Sequence, residues 1–169
     1  MTKLGILAFL VAAMSMANGA AADVLVTTSL VGPSAVVVGE EAAWDITIQV
    51  TTDVDVAGVV VKDGMGADLD EIIVGIPTIG VADAVKSGKG KMGATMVTWE
   101  IGDMVAGTTA TLTVTVTTGY NPSDKHEFTE PELMHELDGG ASAAYILDGI
   151  DYETPASLPL TVDVLEPVE

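Results

Sequence analysis

Residues 111–117, Thr-Leu-Thr-Val-Thr-Val-Thr, alternate strictly between hydroxyl and apolar side chains. In a β-strand successive side chains point to opposite faces, so this period of two puts the apolar residues on one face and the threonines on the other. Val and Thr are β-branched and fit strands better than helices. The segment therefore predicts a strand that is half buried against a core and half exposed to water.

The same alternation recurs on both sides of this segment, and clusters of Gly, Pro, Asn and Asp separate the runs. It predicts an all-β chain, a single-domain antiparallel β-sandwich. We expect strands near 24–30, 34–38, 42–51, 56–62, 81–86, 94–101, 108–118, 142–147 and 157–165. Turns are expected at 62–64 and 138–140, a short helical turn or irregular loop at 67–74, and a polar insert near 120–140.

Two tryptophans carry much of the large apolar volume in this pattern. Trp44 and Trp99 both fall on the apolar side of their strands, next to Ile46 and Ile101. A platform for stacking a ligand would need these rings exposed. We therefore expect both rings to pack in the core.

Residues 1–22 have the order of features found in a secretory signal peptide. Lys3 is followed by an apolar run from Ile6 to Met16, which is too short to span a bilayer, and by small residues before Asp23. We expect cleavage after Ala22, leaving 23–169 as the β-sandwich surface domain. Two alternatives are a buried N-terminal helix and pilin-like processing after Gly5. After signal cleavage no membrane insertion is expected.

The charge balance excludes several partners. Removal of residues 1–22 leaves five Lys against 25 Asp and Glu, a net charge of −20, with no Arg. Such a surface repels nucleic acid, whose binding depends on Lys and Arg contacts to phosphate. It also repels anionic membranes, but it attracts cations. An ion-rich environment explains the acidity, and calcium bridging between subunits is the alternative.

Motifs for catalysis are not found. Cys is absent, which excludes thiol chemistry and disulfides, and no Ser lies in a nucleophile turn. His126 and His135 lack the spacing that places two metal ligands on one helical face. They lie in the polar insert, where a solvated acidic loop is the simpler interpretation. Few aromatic residues are available for sugar stacking, which disfavours a glycosidase. We expect no enzyme and no cofactor.

Calcium is the one cofactor that the acidic residues leave open. Calcium needs six or more converging oxygens, and no run here has the ligand spacing of a calcium-binding loop. Carboxylates from separate loops can still converge, and calcium would then act on stability or assembly. The candidates are Asp53, Asp55, Asp68, Asp70, Asp148 and Asp151.

Several segments, in this order, resemble one domain family. These are 36–41 (VVVGEE), 44–48 (WDITI), 59–63 (VVVKD), 97–104 (VTWEIGDM) and 106–114 (AGTTATLTV), with further similarity at 86–91, 121–129 and 145–149. The chain is similar over most of 30–165 to the conserved repeat domain of archaeal and bacterial surface proteins (domain of unknown function eleven). The Trp-Glu-Ile-Gly-Asp segment with its downstream Ala-Gly is the most specific part.

This resemblance implies an immunoglobulin-like sandwich that is secreted to the extracellular cell surface, without transferable catalytic residues. Such domains commonly occur in tandem, and a single copy is expected to bind another copy or other surface proteins. The leading hypothesis is a self-associating structural subunit of a filament, sheath or surface layer. The alternative is an adhesin-like or calcium-dependent binding module.

Two segments are the candidates for self-association. The first is the β-prone N-terminal strand with Val24, Leu25 and Val26, which can pair with a neighbouring molecule or within its own sheet. The second is the Gly-rich turn that carries Lys86, Lys89 and Lys91, three of the five remaining Lys. This turn can contact an acidic loop of a neighbour, or it can be a solubilising hairpin tip.

Overall fold

A computed structural model of the chain describes residues 23–37, 39–66, 69–86, 95–119 and 134–165. These residues form strands and connecting turns and no helix. The strands are β1 (Val24–Val31), β2 (Ala35–Val37), β3 (Glu41–Thr52), β4 (Val56–Met65), β5 (Glu71–Val74), β6 (Val81–Lys86), β7 (Thr95–Met104), β8 (Thr109–Gly119), β9 (Met134–Leu147), β10 (Ile150–Glu153) and β11 (Leu160–Leu165).

The strands form two sheets that face each other across one apolar core, so the chain is an immunoglobulin-like β-sandwich. The smaller sheet has the order β1-β3-β8-β5. The larger has the order β2-β11-β9-β4-β7-β6, with β10 paired to β9 as a hairpin. Most pairs are antiparallel, as predicted, and β2 with β11 is a parallel pair.

The core follows the predicted alternation. On β8 the buried apolar residues are Ala110, Leu112, Val114 and Val116, and the threonines between them face outward. Both tryptophans are buried, as expected, and each ring nitrogen donates to a backbone carbonyl. Trp44 Nε1 donates to Pro33 O at 2.7 Å and Trp99 Nε1 donates to Ile79 O at 2.8 Å. These bonds satisfy the only polar atom that each ring takes into the core.

Several predicted boundaries are wrong. Residues 71–74 form β5, which pairs with β8, instead of a helical turn or loop. The predicted turns at 62–64 and 138–140 lie inside β4 and β9. Residues 134–140 of the predicted insert belong to β9, whereas 120–133 lie outside the described residues. Polar and glycine residues concealed these strands, because sequence periodicity needs apolar residues to mark the buried face.

Candidate functional site

The predicted N-terminal strand is the edge of the smaller sheet. β1 pairs with β3 of its own chain, from Val24 opposite Thr52 to Val31 opposite Asp45. Val24 and Val26 are buried in the core, while Leu25 is 43% exposed on the outer face. Thus β1 pairs within its own sheet, which is one of the two arrangements that the sequence allowed for this strand. The second edge of β1 pairs with no other described strand.

Lys86 lies at the end of β6, and β6 is an edge of the larger sheet. Lys89 and Lys91 lie outside the described residues, so the predicted Lys turn is described only at its start. Val81 and Val85 on the same strand are 66% and 61% exposed. A shallow cleft separates β6 from β5, and its lining is Leu69, Asp70, Ile72, Ala84, Lys86 and Thr95.

The calcium candidates are spread over separate connections. Asp53 and Asp55 lie in the β3–β4 loop, where Asp55 Oδ1 accepts the Ala106 backbone N–H at 2.8 Å. Asp148 and Asp151 belong to the exposed β9–β10 hairpin, and Asp70 precedes β5. Asp68 lies outside the described residues. Among the described residues no group of three or more His, Cys, Asp or Glu side chains is arranged to hold a metal.

The structure describes one of the two histidines. His126 lies outside the described residues, whereas His135 is on β9 opposite Val162 of β11. His135 is buried, so the expectation of a solvated acidic loop is wrong at this position. The physical reason is that Met134 begins a long strand in the middle of the larger sheet, which turns alternate side chains toward the core.

Sequence reasoning missed a pair of buried aspartates. Asp63 on β4 and Asp138 on β9 are each 0% exposed. Asp63 follows Val59 and Val61 on the core-facing row of β4, where another apolar residue is expected. A carboxylate in that position is costly unless hydrogen bonds or a counter-charge compensate it. An acidic residue at an apolar position of the period was the signal that could have revealed the pair.

A bulge brings the two carboxyl groups together. β4 and β9 pair through Asp63 with Ala141 and through Met65 with Asp138, and the register shifts between these two pairs. Gly140 has φ of 102° beside this shift, a conformation that strongly favours glycine. Its backbone N–H donates to Asp138 Oδ1 at 2.6 Å. The extra residue of the bulge turns Asp138 toward Asp63.

The electrostatics of the pair favour a bound proton when no cation is present. Burial raises the pKa of Asp63 to about 9 from the ordinary 3.8, and a hydrogen bond and charge repulsion from Asp138 act in the same direction. A hydrogen bond between two carboxyl groups requires a proton on one of them. As two carboxylates, they leave both oxygens of Asp63 and Oδ2 of Asp138 buried without a hydrogen-bond partner.

An aromatic pair lies at the β9–β10 hairpin. The rings of Tyr145 and Tyr152 stack with centroids 5.6 Å apart at an interplanar angle of 18°. Tyr145 is buried, and burial together with the Asp23 and Tyr152 charges raises its pKa. Tyr152 is 41% exposed, so this pair reaches the surface.

No described segment forms a helix with the length and apolarity that a membrane crossing requires. No protein-family model matches the chain, and no curated protein matches it in sequence.

Solved structures with a similar arrangement exist at low identity. A cohesin module from a Clostridium perfringens family 33 glycoside hydrolase is 11% identical, with a TM-score of 0.46 over 83% of this chain and 96% of that one. An uncharacterised Nocardia farcinica protein with an immunoglobulin-like fold is 16% identical, with a TM-score of 0.46 over 82% and 97%. A Vibrio harveyi GH20 exo-β-N-acetylglucosaminidase matches at 16% identity and a TM-score of 0.40, over 85% of this chain but only 18% of the enzyme.

Proposed function

We propose that this chain is a secreted immunoglobulin-like module of the cell surface that assembles head to tail with copies of itself, as a structural subunit of an extracellular filament, sheath or layer. The observation that carries the proposal is the outer edge of β1, which pairs with no other strand among the described residues and is called open in that sense. Its eight residues, Val24–Val31, contain no charge and no Pro in a chain of net charge −19. Natural proteins usually protect such an edge with charges, Pro or bulges, because it is a template for pairing with another chain.

The edge of β6 is the best candidate to pair with β1 of another copy. The other open strands, β2, β5 and β10, have only three or four residues, and short edges pair poorly. β6 has six residues, and its charges, Asp83 and Lys86, cancel. Thus β1 and β6 are long open edges without net charge, and identical acidic molecules can approach there with the least electrostatic repulsion.

The topology makes this contact propagate. β1 packs across the core against β9 and β11, whereas β6 forms the far edge of the larger sheet. The two edges therefore lie on different sides of the sandwich. Pairing β1 of one copy with β6 of the next is heterologous, so it continues into an open chain unless its rotation closes a ring. A β1–β1 contact would be two-fold symmetric and would stop at a dimer.

Single charge substitutions on the two edges test the proposal better than deletion of β1, which would also remove Val24 and Val26 from the core. Leu25→Glu and Val85→Glu each place a charge on an open edge. Thr113→Glu adds the same charge at an exposed position of β8, an internal strand. We expect each edge variant to weaken association about tenfold or more, with the control close to wild type. The measurement is light scattering and negative-stain microscopy over a concentration series.

Mixing the two edge variants gives a sharper result. In the mixture, β6 of the Leu25→Glu chain and β1 of the Val85→Glu chain are intact, so one heterologous contact can form and the product should stop at dimers. If Val85→Glu has no effect while Leu25→Glu does, the contact is β1 with β1 and the head-to-tail assembly is wrong. A wild-type chain that remains monomeric at high concentration would overturn self-association and favour the surface binding module.

A further inference from the structure

The buried aspartate pair carries an inference that does not depend on self-association. Of the four carboxylate oxygens, only Asp138 Oδ1 has a described donor, the Gly140 backbone N–H. When both groups are ionised, the other three oxygens, Asp63 Oδ1 and Oδ2 and Asp138 Oδ2, are buried with no hydrogen-bond partner. Buried polar groups are nearly always paired, and buried charges are paired or coordinate metals. Three such oxygens in one place point to a group that binds all of them.

A shared proton satisfies these oxygens only in part. It joins one oxygen of Asp63 to Oδ2 of Asp138 and leaves the second oxygen of Asp63 without a partner. It also leaves one negative charge buried in the pair. A divalent cation can contact all three oxygens at once, and its charge balances both carboxylates.

The backbones of β4 and β9 lie close to each other beside the aspartate pair. A Cβ added at Gly139 would lie 3.1 Å from Gly64 O, and one added at Gly66 would overlap the Glu136 carbonyl. The absence of side chains at these glycines lets β4 and β9 approach each other beside both aspartates. Calcium takes backbone carbonyl oxygens as well as carboxylates.

We propose that Asp63 and Asp138 bind one calcium ion between β4 and β9. The two carboxylates supply up to four oxygens, and water or backbone carbonyls complete the six to eight that calcium takes. Zinc fits less well, because it prefers four N or S ligands and no third His, Cys, Asp or Glu joins the pair among the described residues. Magnesium fits less well because it keeps several of its waters. The bound ion would tie the two central strands of the larger sheet together.

The test is calcium binding by titration calorimetry, together with thermal unfolding in calcium, in magnesium and in EDTA. We expect one buried-site ion per wild-type chain and a rise in Tm of about 5 °C or more at saturating calcium. Asp63→Asn and Asp138→Asn should lose both effects. Asp151→Asn removes one exposed carboxylate from β10 and should retain both. Repeating the titration in the Leu25→Glu background separates calcium binding from self-association.

The amide variants also distinguish a calcium site from a pair of carboxyl groups that only share a proton. In Asp63→Asn the amide can donate to Asp138, so this variant is expected to fold, and circular dichroism checks that it does. An equal calcium shift in wild type, Asp63→Asn and Asp151→Asn would be general charge screening and would overturn the site. A wild-type chain indifferent to calcium, with Asp63→Asn at least as stable, would show that the pair shares a proton and would overturn it as well.

Discussion

Asp63 and Asp138 face each other inside the larger sheet, from adjacent strands β4 and β9, and both are fully buried. Most other residues of these core-facing rows are apolar, among them Val59, Val61 and Leu137. The relationship depends on one bulge and on Gly140, which lets the chain reach the left-handed conformation beside it. An apolar pair would fill the space without desolvating a charge. The acidic pair is therefore a feature that packing alone does not explain.

The stability of the metal-free chain should fall as pH rises. The pKa of Asp63 is about 9 in the folded chain against an ordinary 3.8, so the folded state binds more protons between these values. The stabilisation is complete below the unfolded pKa and is lost as pH rises toward about 9. Urea unfolding in EDTA from pH 4 to pH 9 measures this slope.

Self-repulsion among the other carboxylates gives a slope of the same sign. The difference between wild type and Asp63→Asn isolates the contribution of the pair, because the amide does not titrate. If wild type and Asp63→Asn lose stability in parallel over the whole range, the raised pKa of Asp63 is wrong.

Trp99→Ala should reduce the free energy of unfolding by about 3–5 kcal/mol. The ring is fully buried, and its removal also leaves Ile79 O without its donor. Trp99→Phe keeps much of the apolar volume and should cost less. Urea unfolding of both variants checks the order, and an alanine variant with wild-type stability would contradict core packing.

Gly32→Ala should destabilise the chain by about 1–3 kcal/mol, because an added Cβ would overlap the Trp44 ring. Gly107→Ala is the matched control. It has φ of 78° but nothing within 4 Å of an added Cβ, so only backbone strain of about 1–2 kcal/mol is expected there. The fluorescence of Trp44 should shift in Gly32→Ala and remain unchanged in Gly107→Ala.

N-terminal processing should leave Asp23 as the first residue of the secreted chain. The expectation rests on Lys3, the apolar run and the small residues before Asp23. Mass spectrometry or Edman sequencing of the native protein identifies its first residue. A chain that begins at Ile6 would support pilin-like processing and would refute cleavage after Ala22.

The sequence predicted the strands best where apolar and polar residues alternate. The segments at 24–30, 81–86 and 108–118 agree with β1, β6 and β8 within about a residue at each end. It missed β5 and β10, which have four residues each and present little alternation to detect. It also placed turns at 62–64 and 138–140, because Asp and Gly are turn residues by composition and cannot by themselves reveal a buried strand.

What the sequence determined by itself was the fold class, since period-two alternation and β-branched residues leave few other ways to bury the apolar face. It also indicated the two tryptophans of the core. Only the tertiary structure decided which strands lie at the edges, because strand order depends on contacts between residues far apart in the chain. Asp63 and Asp138 are 75 positions apart in the sequence, and only the tertiary structure brings them together. Their meeting depends on the register of two strands and one bulge, and a linear pattern does not encode the distance between separate strands.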